Sequence, residues 1–374
     1  MTRTAFAAGP GGTLAKTLID QLGDTRTNAA LVVFFAHVDF DGQLIGDGLR
    51  AHFSGVPVIG CSANGAFSEH GFGKSGCSAI VITRDVAPRV AVAMAHLDPD
   101  AHAGIARAGV ELSRAFGASL RELDAERHVG LMLVEGATQR EEVVNEALGN
   151  VAPALRFVGG SAGDDIQFKR TWAYCNGELG YDACSLAVLE MAVPFGIVQA
   201  CNMVSSGRVV EVTRVEPGTR IIREIDGRPA VQLFAELAGK PSAELGFVDF
   251  LTHPLGLMID GAPWLRSGVR VDGEGVLFAC SVLEGAKLDV MRGVELVANT
   301  QEQRLAIEQQ LGGPIGGAVL FNCAYRMLEA QIKGSEAAYH AVLSTFPHAG
   351  IHTNGESYLG HINQTLTGLA FRAS

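Results

Sequence analysis

The 374-residue chain has no apolar run of membrane-spanning length. Its longest, such as "ALVVFFA" at 30–36, falls far below the roughly 18 residues that a span requires. The opening "MTRTAFAAGPGGTLAKTLIDQL" lacks an unbroken apolar core of signal-peptide length. The expectation is a soluble, cytoplasmic protein without membrane insertion. Basic residues are in deficit, 29 Lys and Arg against 40 Asp and Glu, for a net charge of -11. That balance argues against a nucleic-acid or anionic-membrane surface. No CxxC occurs, and the seven cysteines are odd in number. They read as buried free thiols of a reducing compartment rather than a disulfide frame or a zinc site. The absence of CxxCH excludes covalent c-type haem, and the absence of HExxH removes the commonest helical metal pair. No low-complexity linker divides the chain, so domains packed tightly together fit better than tethered ones.

Hydrophobic residues make up 48% of the chain, enough for large cores. The leading signal is a repeat. "VIGCSANGAF" (58–67) and "FVGGSAGDDI" (157–166) carry the same strand-to-turn punctuation, with Ser62 and Ser161 offset by 99 residues. The strand "AALVVFFA" (29–36) has its counterpart in "HVGLMLVEG" (128–136), and "SGCSAIVIT" (75–83) in "YDACSLAVLE" (181–190). Helical patterns at 41–53 and 139–148 fill matching places. The pattern predicts a duplicated α/β unit over 28–95 and 128–203. "SGCSAIVIT" and "RVAVAMA" (89–95) read as a hairpin. The fold class expected is α/β to α+β. A helical segment at 1–27 precedes a duplicated N-terminal domain at 28–204, which packs on a C-terminal α+β domain at 205–374.

Strands that end in glycines and small polar residues bring bare backbone close to something else. Cys61, Ser62 and Asn64 in the first copy, with Ser161 and Asp164 in the second, therefore read as a polar cup at strand ends, where α/β sheets place ligands. A tight turn that packs the two copies together is the other use of the same residues. "GGSAG" (159–163) also spells the G-x-S-x-G elbow of α/β hydrolases, with Ser161 as nucleophile. The elbow demands a helix directly after the turn, and "DDIQFKRTWAY" reads as a loop and then a strand. His352 and His361 flank the turn "NGESYLG", and either imidazole is of a kind that ligates haem iron. Arg326 follows the buried strand "LFNCAY" and could hold a carboxylate. Glu356, Asn363 and Thr365 lie near the C-terminus, where an acid, an amide and a hydroxyl beside an arginine suit a zwitterion such as an amino acid.

In order along the chain, "VPVIGCSANG", "FVGGSAGDD", "EIDGRPA", "THPLGL", "LFNCAYR" and "NGESYLGHINQTLTGLAF" resemble the motifs of FIST proteins, a bacterial sensory family. The resemblance covers about 28–195 for the N-terminal FIST part and 215–372 for the C-terminal part. It implies a small-molecule sensor with no resident cofactor, one that signals to a partner chain such as a histidine kinase or a cyclic-di-GMP enzyme. The tail "GESYLGHINQTLTGLAF" and "EGAKLDVMRGVELV" are also similar to a haem-binding, nitric-oxide-sensing branch. That likeness implies haem b on His352 or His361, although Ala66 and Asn202 stand where the branch carries an acidic residue and a histidine. The oligomeric state stays open.

Overall fold

A computed structural model describes residues 2–9 and 11–373; the outermost expected segment ends, 1 and 374, lie outside the described residues. The first unit runs β1 (Arg3–Ala8), α1 (Leu14–Leu22), β2 (Ala29–His37), α2 (Gly42–His52) and β3 (Val58–Ala63), then the hairpin β4 (Ala66–Ser68) and β5 (Gly71–Gly73), and β6 (Gly76–Thr83). The second runs β7 (Arg89–His96), α3 (Ala101–Phe116), β8 (His128–Val134), α4 (Glu141–Val151) and β9 (Phe157–Ser161), then the hairpin β10 (Ala173–Cys175) and β11 (Glu178–Gly180), and β12 (Ala183–Glu190). A third begins with β13 (Phe195–Ala200) and is interrupted by a domain. That domain comprises β14 (Met203–Val215), β15 (Ile221–Ile225), β16 (Arg228–Pro229), α5 (Ala230–Ala238), α6 (Phe247–Thr252), β17 (Leu255–Ile259), β18 (Ala262–Arg266), β19 (Gly268–Asp272), β20 (Gly275–Phe278) and β21 (Lys287–Gly293). The third unit then resumes with α7 (Leu296–Leu311), β22 (Ile315–Cys323), α8 (Ala324–Ile332), α9 (Glu336–Leu343), β23 (His348–Thr353), the hairpin β24 (Glu356–Tyr358) and β25 (His361–Ile362), and β26 (Leu366–Arg372).

The mixed α/β class is as expected. The repeat goes further than the sequence shows, because part of the C-terminal half is a third copy. In each unit the two strands around the second helical stretch are parallel: β2 with β3, β8 with β9, β22 with β23. The last strand runs antiparallel to the first of each pair. The hairpins are exchanged in a cycle. β10 pairs β3, β24 pairs β9, and β4 pairs β23, so each unit lends a hairpin to another. The register makes Ser62, Ser161 and His352 equivalent: they pair with Ala36, Val134 and Asn322 across the parallel strands. Beyond them the chains lock in a ring. Asn64 N–H donates to the His352 carbonyl at 3.1 Å, Gly163 N–H to that of Ser62 at 3.0 Å, and Asn354 N–H to that of Ser161 at 3.1 Å. At Gly163 an added Cβ would lie 2.5 Å from the Asn64 backbone nitrogen, so the ring closes only around a glycine.

The inner faces of the three sheets meet in one core, with Val33, Phe35, Leu131, Leu133, Val319 and Phe321 all fully buried. Helices cover the outer faces: α1 and α2 over the first sheet, α3 and α4 over the second, α7 and α9 over the third. Burial on both faces explains why the strands read as continuous hydrophobic runs rather than alternating ones. The inserted domain is an antiparallel sheet with its own core around Phe234, Phe250 and Phe278.

Several local expectations change. β6 and β7 form no hairpin; β6 pairs β1 and β2, while β7 pairs β12. The residues between them carry the chain from one unit to the next. The segment before residue 28 holds the strand β1 as well as the helix. β23 and β26 lie on opposite sides of β22.

Candidate functional site

The glycine turns serve the packing of the units more than an open cup. Cys61, Ser62 and Ser161 are at most 1% exposed. Ser62 Oγ accepts from the Trp172 N–H at 3.2 Å, and the Cys61 thiol is pushed up by burial. Ser161 Oγ donates to Glu141 Oε1 at 2.6 Å, and Glu141 in turn pairs with Arg220 of the inserted domain at 2.7 Å. No helix follows the turn; residues 162–172 form a loop that leads into β10. A sealed serine bound to a carboxylate that is itself paired does not fit a hydrolase nucleophile.

Asp164 anchors that loop. Its carboxylate accepts the N–H groups of Gln167, Phe168, Lys169 and Arg170 at 2.6–3.1 Å. The loop pays with backbone strain: Asp165, Ile166 and Phe168 adopt φ of 60°, 60° and 53°. A β-branched residue at positive φ is a true outlier, and such strain gathers at ligand clamps and switches. The Ile166 N–H is held by Asn64 Oδ1 at 3.0 Å, and Asn64 Nδ2 donates to Asn354 Oδ1 at 2.9 Å.

Ile166 and Asp165 wall a cavity of about 220 Å³ to which all three units contribute. Asn64, Phe72 and Lys74 come from the first unit; Met327, Leu328, Gln331, Glu336 and His352 come from the third. Lys74 Nζ lies 3.0 Å from Asp165 Oδ2, and His37 Nε2 lies 3.2 Å from Oδ1. Burial alone would raise the Asp165 carboxyl, but these two partners hold it below the ordinary aspartate value. His352 accepts from Asn322 Nδ2 at its Nδ1, at 3.0 Å, which leaves the ring proton on Nε2. Burial, then the nearby His340, lowers its pKa to about 3, so the ring is neutral. The cavity therefore offers charges of both signs, a neutral imidazole and an apolar wall.

Behind it runs a chain of buried polar groups. Tyr339 hydroxyl donates to Asn322 Oδ1 at 2.6 Å. Arg326, fully buried, sits 5.7 Å from the Tyr339 ring centroid and donates to Asn202 Oδ1 at 2.8 Å and Thr300 Oγ1 at 2.9 Å. Asn202 Nδ2 passes on to Glu329 at 3.0 Å. Arg326 makes no ion pair with Glu356 or Glu329 among the described residues, and its Nε has no partner. It lines none of the cavities described here. Glu356 does face a glycine turn, since it pairs with Gly160 across β24 and β9. It is also sealed, accepting from Thr353 Oγ1 at 2.5 Å and Thr365 Oγ1 at 2.6 Å. Burial raises its pKa to about 7 against the pull of those hydrogen bonds. Asn363 is 1% exposed with neither amide atom partnered.

His352 and His361 do not share a cavity, because β23 and β25 are not neighbours; β25 folds back on β24. His352 fits poorly as a haem ligand: its Nδ1 accepts from Asn322, so the free Nε2 carries the proton, and the space beside it is only about 220 Å³. His361 keeps both ring nitrogens unpartnered and borders a separate cavity of about 490 Å³. Among the described residues no cluster of His, Cys, Asp and Glu is arranged to hold a metal ion, and no helix is long and apolar enough to cross a membrane. Sequence reading missed Lys74, Asp165 and Ile166. The one available signal was the repeat motif at 157–166, whose last two residues are Asp165 and Ile166.

Three α/β units joined through exchanged hairpins enclose a polar cavity at their junction, walled by a strained loop. Residues 30–228 match the FIST N domain and residues 230–358 the FIST C domain. The chain belongs to the FIST family of sensory domains. The boundary between the two matches falls inside the inserted domain, at the start of α5. The likeness to a haem-binding, nitric-oxide-sensing branch is not borne out by these matches. An uncharacterised protein of Methanocaldococcus jannaschii is 22% identical over 329 residues, covering 81% of this chain; the chain spans 64% of that relative's length. A crystal structure of a cyanuric acid hydrolase from A. caulinodans aligns over 100% of this chain and 99% of its own, at 11% identity and a TM-score of 0.37, too loose to carry a conclusion.

Proposed function

We propose that this chain is a ligand-responsive sensor that holds a small polar metabolite of the amino-acid class in the junction cavity. The observation that carries the reading is Ile166 at φ 60°, clamped by Asn64 and forming a wall of that cavity. Strain there gives the loop a reason to rearrange, and a ligand that favours one arrangement shifts the balance between two. The ligand's carboxylate meets Lys74, its ammonium meets Asp165 or Glu336, and the His352 Nε2–H donates to a remaining oxygen. Loop movement would pass through the ring of hydrogen bonds that joins all three units. The reader of that change is a separate signalling protein, such as a histidine kinase or a cyclic-di-GMP enzyme.

The test is a thermal-shift screen of the proteinogenic amino acids, each against its matching amine and acid. One amino acid should raise the melting temperature of the wild type and fail to do so in Lys74→Met, whose side chain is largely exposed and whose loss spares the core. A panel without any shift, or an equal shift in the variant, would remove the junction as the ligand site.

A further inference from the structure

A second cavity, of about 490 Å³, lies between α4 and the inserted domain and is separate from the junction. Its size falls in the range of small-molecule pockets. What it contains is unbalanced. Glu142 is fully used, with one oxygen accepting from Ser281 N–H at 2.7 Å and the other from Arg220 at 2.5 Å. Arg266 is not. Among the described residues it makes no ion pair, and its guanidinium donates only to the carbonyls of Leu265 at 3.0 Å and His361 at 3.2 Å. His361 is 4% exposed, lines the cavity, and has no partner at either ring nitrogen. Asn363, whose amide is likewise unpartnered, lies near the His361 ring around Gly355: a Cβ added there would meet His361 Cε1 at 2.4 Å and Asn363 Nδ2 at 3.1 Å. Buried polar groups left unpaired are costly and rare. The unpartnered His361 ring, beside a guanidinium without a carboxylate, marks a site that lacks an acceptor. The opposite wall is apolar, made by Leu148, Leu155 and Phe157.

We propose that this cleft binds a small organic carboxylate with an apolar tail. The carboxylate lies on the Arg266 guanidinium and a His361 N–H, and the tail lies over Leu148, Leu155 and Phe157. Because the cleft is formed by the second unit, the inserted domain and the β24–β25 hairpin of the third unit, such a ligand fastens the three together. The site stands or falls independently of the junction cavity, which shares none of these residues.

Octanoate is the probe and octylamine, with the same tail and no carboxylate, the control. Calorimetric titration should show octanoate binding the wild type and octylamine failing to bind. Arg266→Gln and His361→Gln should each weaken octanoate at least about ten-fold, the scale of losing one charge-assisted contact. A diazirine-bearing carboxylate, used on the wild type, keeps the test valid if a variant fails to fold; its crosslinks should map to 145–157 or 359–361. Equal binding of acid and amine, unchanged affinity in a folded Arg266→Gln, or crosslinks elsewhere would overturn the proposal. So would a Soret band on haemin titration that is lost in His361→Gln, which would assign the cleft to an iron porphyrin.

Discussion

Arg220 and Arg326 are both buried, and the molecule treats their charges differently. Arg220, at the joint between the second unit and the inserted domain, faces two carboxylates: Glu141 at 2.7 Å and Glu142 at 2.5 Å. Burial works against its charge, and these acids more than restore it. Glu142 shows the other side of the pairing. Burial would raise it, yet the neighbouring His361 and Arg220, with the Ser281 N–H, bring it to about 2. Burial lowers the His361 pKa in turn, against the pull of Glu141 and Glu142. Arg326, inside the third unit, has only the amide of Asn202, the hydroxyl of Thr300 and the face of Tyr339. Its countercharge, Glu329, stands on the far side of the same amide. Elsewhere in the third unit, burial works against charge on the titratable groups. Burial lowers His340 and His348 to about 4 and His352 to about 3, and raises Glu356 to about 7. In one region the buried arginine is paired directly with acids; in the other it meets only neutral groups, while Glu329 is paired with Lys333 at 2.6 Å. The first should ignore pH near neutrality, and the second should not.

The strongest way to break this contrast is Arg220→Met. It leaves two acids unpaired at the joint and should cost about 3–5 kcal/mol in denaturant unfolding at pH 7. The loss should shrink as the pH falls and the orphaned acids protonate. A variant as stable as wild type would mean that the pair adds nothing.

Next in size is the acid response of the wild type. The three buried histidines have folded pKa values below the unfolded value of 6.5, so their contribution is full above pH 6.5 and is lost as pH falls toward 4. Between pH 7 and pH 5 each costs on the order of 2 kcal/mol. Glu356 acts in the opposite sense. Its folded pKa is raised, so its contribution is full below pH 4.5 and is lost as pH rises through about 7. Over the same interval it returns about 2 kcal/mol, leaving a net loss of about 3–4 kcal/mol on acidification. Flat stability between pH 7 and pH 5 would contradict burial of neutral imidazoles.

Glu356→Gln sharpens the same point. It keeps the shape and removes the titration, so the acid loss should steepen by about 2 kcal/mol over that interval. An unchanged profile would place the Glu356 pKa near that of a free glutamate. The smallest effect belongs to Arg326→Met, which strands one amide oxygen on Asn202 and should cost about 1–2 kcal/mol. If it costs as much as Arg220→Met, charge pairing is not what separates the two regions.

Much of the first two units was legible from sequence because their strands are buried on both faces and their turns are spelled alike. Ser62 and Ser161 stand at equivalent positions in β3 and β9. The third copy was hidden by two things: the domain at 203–293 interrupts it, and its turn carries His352 where the others carry serine. The helix α8 went unread because it starts directly at the end of β22 with no cap signal; Cys323 at its N-cap makes no side-chain bond. At the sites, residue types were legible and partners were not. Arg326, Glu356 and Asn363 were visible as a polar group, yet Arg326 and Glu356 answer to separate hydrogen-bond sets.

The sequence by itself determined the α/β units, their core strands and six buried free cysteines, with Cys201 half-buried, because periodicity and burial are local properties. Only the tertiary structure decided which hairpin pairs with which strand, that the units number three, and that Lys74, Asp165 and His352 meet at one junction. The physical reason is that hairpin exchange joins residues about a hundred or more positions apart. A short hairpin such as β10 and β11 has the same local preferences whether it docks on its own unit or on another. What selects the partner is the fit of whole sheets around a shared core, and no window of sequence contains that.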